Sequence, residues 1–99
     1  MAVLSVSDLK SLLGRKEDVF ILDVRTREEC GEGIIEGAVN IPVDQLKARV
    51  GEVSKGKKIV VICEHGSRSM LAANFLRAQG FDASNIRGGM VAWNVLANE

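Results

Sequence analysis

Two unbroken apolar runs stand out along the chain: Val19-Phe20-Ile21-Leu22 leading into Asp23-Val24, and Ile59-Val60-Val61-Ile62 leading into Cys63. Runs of this length without polar alternation suit central strands covered on both faces. Around them the apolar positions recur at helical spacing instead. Leu9, Leu12 and Leu13 follow Ser7, a candidate N-cap, and Gly14 closes that short helix. Thr26 and Glu29 have the spacing of a capping box, so a helix is expected at the carboxyl end of the first strand. Gly31, Gly33 and Gly37 break the chain up before a strand at Ala38-Val39-Asn40-Ile41, and Pro42 opens a helix with Val43, Leu46 and Val50 on one face. A charged loop from Gly51 to Lys57 precedes the strand Lys58 to Ile62. The next helix, from about Ser69 to Gln79, is expected to bury Leu71, Ala72, Phe75 and Leu76, with Gly80 ending it. Ala83 to Arg87 reads as a last short strand and Met90 to Leu96 as a closing helix. Strands alternating with helices imply parallel pairing through right-handed crossovers. The expected fold is α/β, a three-layer α/β/α sandwich on a mainly parallel sheet of about five strands, forming one domain over residues 1–99.

Composition narrows the partners. Lysine plus arginine equals aspartate plus glutamate at 13 each, so no global field favours nucleic acid or an anionic membrane, and any anion must be held by a local site. No stretch approaches the roughly 18 apolar residues of a membrane span. The segment Met1 to Asp8 lacks a basic start and a long apolar run, so no export leader is expected and a cytoplasmic location is the simplest inference. Two cysteines make no disulfide framework, and with a single histidine they make no four-ligand zinc site. Neither a metal nor a cofactor is expected, and a monomer is.

Candidate chemistry centres on Cys63, in Ile62-Cys63-Glu64-His65-Gly66-Ser67-Arg68-Ser69. A thiol at the carboxyl end of a buried strand, ahead of a short polar loop and a helix, lies where backbone N–H groups and the helix dipole stabilise a thiolate. In open α/β sheets, ligands bind beyond the carboxyl ends of the strands, and Asp23-Val24-Arg25 falls at the same edge. Cys63 therefore reads as a nucleophile before it reads as core.

Three segments carry a family likeness: Ile21-Leu22-Asp23-Val24-Arg25 with Glu28-Glu29 and Ile35-Glu36-Gly37-Ala38-Val39-Asn40-Ile41-Pro42; Cys63-Glu64-His65-Gly66-Ser67-Arg68-Ser69; and Gly88-Gly89-Met90-Val91-Ala92-Trp93. In this order and spacing the chain resembles the rhodanese (sulfurtransferase) family in its small single-domain form, over nearly its whole length. The resemblance implies transfer of a sulfane sulfur from a donor such as thiosulfate or a persulfide to a thiophilic acceptor such as cyanide or a thiol, through a persulfide on Cys63. It implies small-molecule donor and acceptor partners, with a sulfur-relay protein as a further partner. The alternative is a non-enzymatic regulatory or relay domain on the same fold; retention of Cys63, Gly66 and Arg68 argues for the enzyme.

The loop from Glu64 to Arg68 is the expected substrate cradle, with its N–H groups turned inward. Gly66 permits the curl, Ser67 offers a hydroxyl, and Arg68 offers a permanent positive fork for an oxyanion. Ser69 is expected to act as a helix cap rather than a reagent. Related phosphatases and arsenate reductases place five residues between cysteine and arginine; four lie here, which favours the tighter sulfur-transfer loop. Glu64 departs from the basic or neutral residue of many relatives, and its carboxylate is expected to oppose a dianionic donor, so Glu64→Lys should raise thiosulfate turnover. His65 either serves as a base or points outward from the curl, and the outward placement is the simpler one. Asp23 and Arg25 read as a structural ion pair, Cys30 and Trp93 as core filling, and Ile34, where the family has histidine, as a structural swap.

Overall fold

The computed structural model describes residues 3–98; Met1, Ala2 and Glu99, and with them the opening of the segment read for a leader, lie outside it. Five strands form one sheet: β1 (Val3–Leu4), β2 (Val19–Asp23), β3 (Val39–Asn40), β4 (Lys58–Ile62) and β5 (Ala83–Ile86). Their spatial order is β1-β5-β4-β2-β3, and every pairing is parallel. Four α-helices accompany them: α1 (Val6–Gly14), α2 (Arg27–Cys30), α3 (Ser67–Ala78) and α4 (Gly89–Ala97).

Side-chain alternation along β4 divides the interior into two cores, because successive residues of a strand point to opposite faces. Ile59, Val61 and Cys63 join Leu22, Leu46, Ala72, Ala73 and Leu76 beneath α3. Val60 and Ile62 join Leu9, Ile21, Ile86 and Met90 beneath α1 and α4, with Trp93 packed against them. The sheet is thus covered on both faces, as its apolar runs require.

Local differences from the sequence expectations have physical causes. β1 was not anticipated. Two residues carry no readable period, yet Leu4 pairs with Ile86, and its carbonyl accepts from the Arg87 amide at 2.8 Å. The cap of α1 is Ser5 rather than Ser7: the Ser5 hydroxyl accepts from Asp8 N at 3.0 Å, and the Asp8 carboxylate accepts from Ser5 N at 2.9 Å. After Pro42 the chain makes two 3-10 turns, Val43–Gln45 and Val50–Glu52, instead of a helix. β-Branched Val43 and Val50 and the flexible Gly51 favour α-helix weakly. On α3 the buried stripe is Ser69, Ala72, Ala73 and Leu76, while Leu71 is 64% exposed. Leu71 lies one position off that 3.6-residue stripe, and Phe75 sits at its margin, half-buried.

Candidate active site

The carboxyl ends of β2 and β4 are neighbours, with Asp23 opposite Ile62, so Asp23-Val24-Arg25 and the Cys63 loop meet at one rim. Asp23 and Arg25 are both buried and form a forked pair: Nε donates to Oδ1 at 3.0 Å and Nη2 to Oδ2 at 2.8 Å. The same guanidinium donates to the Gly33 carbonyl at 2.7 Å and the Glu29 carbonyl at 3.3 Å, tying α2 and the glycine-rich segment to the sheet. Asn40 adds a strap, donating to the carbonyls of Asp23 and Arg25 at 2.9 and 2.8 Å. A buried charge is tolerable only when its donors are used, and here Nε and both terminal nitrogens are.

Cys63 follows β4 directly and lies on the α3 face; the residue is 1% exposed. The chain then turns through Gly66, whose φ of +115° an L side chain rarely adopts, and enters α3 with Gly66 as its cap. This turn aims the amides of Gly66 and Ser69 at Sγ, at 3.1 and 3.3 Å. The Ser69 hydroxyl is 3.3 Å from the sulfur, 3.1 Å from the Gly66 carbonyl, and in contact with the side-chain oxygen of buried Asn85. A hydroxyl has one proton: it accepts from a neutral thiol, and it can turn that proton towards a charged sulfur. Among the described residues, the amides of Glu64, His65, Ser67 and Arg68 meet no protein acceptor, which leaves donors around the curl for a bound anion.

The loop's carbonyls are held by the opposite element. Gly88 and Gly89, at φ +83° and +58°, lead into α4, whose Met90 amide donates to the Cys63 carbonyl at 2.8 Å and Val91 amide to the Glu64 carbonyl at 3.1 Å. A Cβ on Gly89 would lie 2.4 Å from both of those oxygens, so only glycine permits this approach. Two carbonyls of the loop are thus fixed from α4, while the Gly66 and Ser69 amides face the sulfur.

The expected cradle residues are not all gathered at Sγ. Gly66 is there, whereas His65 and Ser67 are exposed. Arg68 makes a two-pronged pair with Glu29, at 2.6 and 2.8 Å, in place of an open fork. That pair holds the Glu29 carboxyl down to about 2 and raises the Arg68 guanidinium. Glu64 directs its carboxylate to Arg25 at 3.4 Å, so its charge is shared with a cation rather than set against the sulfur alone. Cys30 is half-buried, and burial, with Asp23 beside it, pushes its thiol up. Ser69 is a correction: the cap is Gly66, and Ser69 lies one turn inside, buried against the sulfur. Sequence reasoning left out Asn85 and Glu29 as site residues. The Thr26–Glu29 capping box was readable, but the side of the turn facing Arg68 was not.

Between α2 and the loop lies a cleft of about 300 Å³, lined by Arg25, Glu28, Glu29, Glu32, Gly33, Glu64 and Asn94. Among the described residues no cluster of three ligating side chains is placed to hold a metal ion, and no helix is long and apolar enough to cross a membrane.

Known proteins resemble the chain over most of its length. The family profile described as "Rhodanese-like domain" matches residues 5–96. A sulfurtransferase of Allochromatium vinosum is 36% identical over 86 residues, covering 86% of this chain and 80% of that protein. The thiosulfate sulfurtransferase GlpE of Shewanella oneidensis is 36% identical over 92 residues, covering 92% and 90%. A crystal structure of a rhodanese-like domain protein from Staphylococcus aureus superposes with a TM-score of 0.89 at 36% identity, covering 94% of this chain and 91% of that one.

Proposed function

The chain belongs to the rhodanese-like domain family, and on that premise we propose that it is a sulfurtransferase that carries sulfane sulfur as a persulfide on Cys63. The observation that carries this reading is the pair of donors on Sγ: the Gly66 and Ser69 amides converge on one sulfur at a strand end, with the Ser69 hydroxyl, which accepts from the thiol, 3.3 Å away. Such donors favour negative charge on that atom and cost no reorganisation when it develops. The Cys63 thiolate attacks the outer sulfur of thiosulfate, the S–S bond breaks, and sulfite leaves with the bonding pair. The product is a Cys63 persulfide anion. In the second half, cyanide or a thiolate attacks that outer sulfur, and the electrons of the broken S–S bond return to Cys63. The charged sulfur stays within reach of the same loop amides in both halves.

Burial of Cys63 bears on the order of events. With the residue 1% exposed, the donor has to present its sulfur end-on at the curl, and bulky acceptors reach the outer sulfur rather than Sγ itself. The relatives named sulfurtransferases support the reaction class. The test is intact-mass analysis after incubation with thiosulfate, for wild type and Cys63→Ser. A single-sulfur adduct on wild type that cyanide discharges, absent from Cys63→Ser, is the expected result. An adduct that persists in Cys63→Ser and vanishes in Cys30→Ser would overturn the assignment.

A further inference from the structure

The guanidinium that lines the cleft and the one on the Cys63 loop are both already engaged. Arg25 is buried and spends its donors on Asp23, the carbonyls of Gly33 and Glu29, and Glu64. Arg68, the only cation of the loop, presents both terminal nitrogens to Glu29 at 2.6 and 2.8 Å. Glu29 is itself anchored: its carboxylate accepts from the Thr26 amide at 2.9 Å, and its amide donates to the Thr26 hydroxyl at 3.2 Å. The carboxylate belongs to the frame of α2, and Arg68 reaches across to it. Four carboxylates, Glu28, Glu29, Glu32 and Glu64, line the cleft against Arg25. A donor with two negative charges that reaches the curl around Cys63 finds loop amides but no guanidinium without a carboxylate partner.

We propose that Glu29 is a specificity-determining residue: by latching Arg68 it withholds the loop's guanidinium from dianionic donors and tunes the site to monoanionic sulfane-sulfur donors, thiosulfonates and small-thiol persulfides. This rests on the sulfur-transfer reading above and names its substrate class. With a thiosulfonate the step balances as before: the Cys63 thiolate takes the outer sulfur, the S–S bond breaks, and a sulfinate leaves with the electron pair. One negative charge is then on the persulfide and one on the sulfinate. Thiosulfate breaks the same kind of bond but brings one more charge, which isolates charge from reactivity.

Thiosulfate and methanethiosulfonate are therefore the probes, and the readout is the ratio of their kcat/KM values. Glu29→Gln keeps the capping-box geometry, since glutamine serves there as well as glutamate, and it removes the charge and one of the two acceptors that hold Arg68. A partly exposed guanidinium released to an oxyanion should raise kcat/KM for thiosulfate about fivefold, through KM, and change methanethiosulfonate less than about twofold. Glu32→Gln removes a cleft carboxylate that does not hold Arg68, and it should move the ratio far less. In Glu29→Gln/Arg68→Gln the gain should disappear. Thermal melts confirm that each variant is folded, and persulfide formation on Cys63 is read by mass in parallel. An equal response of the two donors, an equal effect of Glu32→Gln, or a gain that survives in the double variant overturns the latch alone. Failure of both donors to load Cys63 in the wild type overturns the sulfur-transfer reading and the latch together.

Discussion

Gly89→Ala gives the sharpest test of how the loop is held. The new methyl would lie 2.4 Å from the carbonyl oxygens of Cys63 and Glu64 and 2.6 Å from the Glu64 carbonyl carbon, all backbone atoms with no rotamer to yield. Relief requires α4 to withdraw, which breaks the Met90-to-Cys63 and Val91-to-Glu64 hydrogen bonds of 2.8 and 3.1 Å. Each is worth about 1 kcal/mol net, and an L residue at a φ of +58° adds about 1 kcal/mol. The expected loss is about 3 kcal/mol, a fall of about 12–24 °C in Tm for a domain of this size. Urea titration gives the free energy and calorimetry the midpoint. Sulfur uptake on Cys63 per folded molecule should drop as well, because the loop that presents the Gly66 and Ser69 amides to Sγ loses its anchor on α4. Gly14→Ala is the control: nothing lies within 4 Å of its Cβ, and its stability should hold or rise slightly. A Gly89→Ala protein with wild-type Tm would refute the packing argument. One that melts early yet loads sulfur at the wild-type rate would refute the link between α4 and the loop.

Three further outcomes follow from the charged and thiol groups. Asp23→Ala strands the buried Arg25 guanidinium and should cost about 3–5 kcal/mol in urea titration; a loss below about 1 kcal/mol would show that the pair does not hold the rim together. The Glu29 carboxyl is held down from 4.5 to about 2, worth about 3 kcal/mol if wholly retained and about 1 kcal/mol after solvent screening of side chains some 30% exposed. Because its folded value is depressed, this advantage over Glu29→Gln is full above 4.5 and fades as pH falls towards 2; a difference undiminished at pH 2 contradicts the pairing. Burial pushes the Cys30 thiol up, so at pH 8 peptide mapping should find Cys30 alkylated by iodoacetamide more slowly than free cysteine; faster labelling would reverse the core-filling reading.

Long apolar runs made β2 and β4 legible to within a residue, and the capping box placed α2. These signals are local and strong. The shorter elements were legible only in part. β1 is defined by its partner β5, and the region after Pro42 has helical spacing but not helical propensity. At the site, the position of Cys63 and the turn at Gly66 could be read, because strand-then-glycine is a local pattern. The fates of Arg68 and Glu64 could not, since their partners Glu29 and Arg25 lie 39 residues away along the chain. Ser69 was misplaced by three positions in the helix register, enough to turn a surface cap into a buried neighbour of sulfur.

Among the described residues, both outer strands of the sheet, β1 and β3, are only two residues long. A sheet with such blunt edges offers almost no row of free backbone groups for another strand to join. Copies brought close together, or tethered in series, have little means of zipping into shared sheets. With lateral addition closed off at the described edges, the rim where β2 and β4 end, and where Asp23, Arg25 and the Cys63 loop meet, is set apart from the sheet's margins.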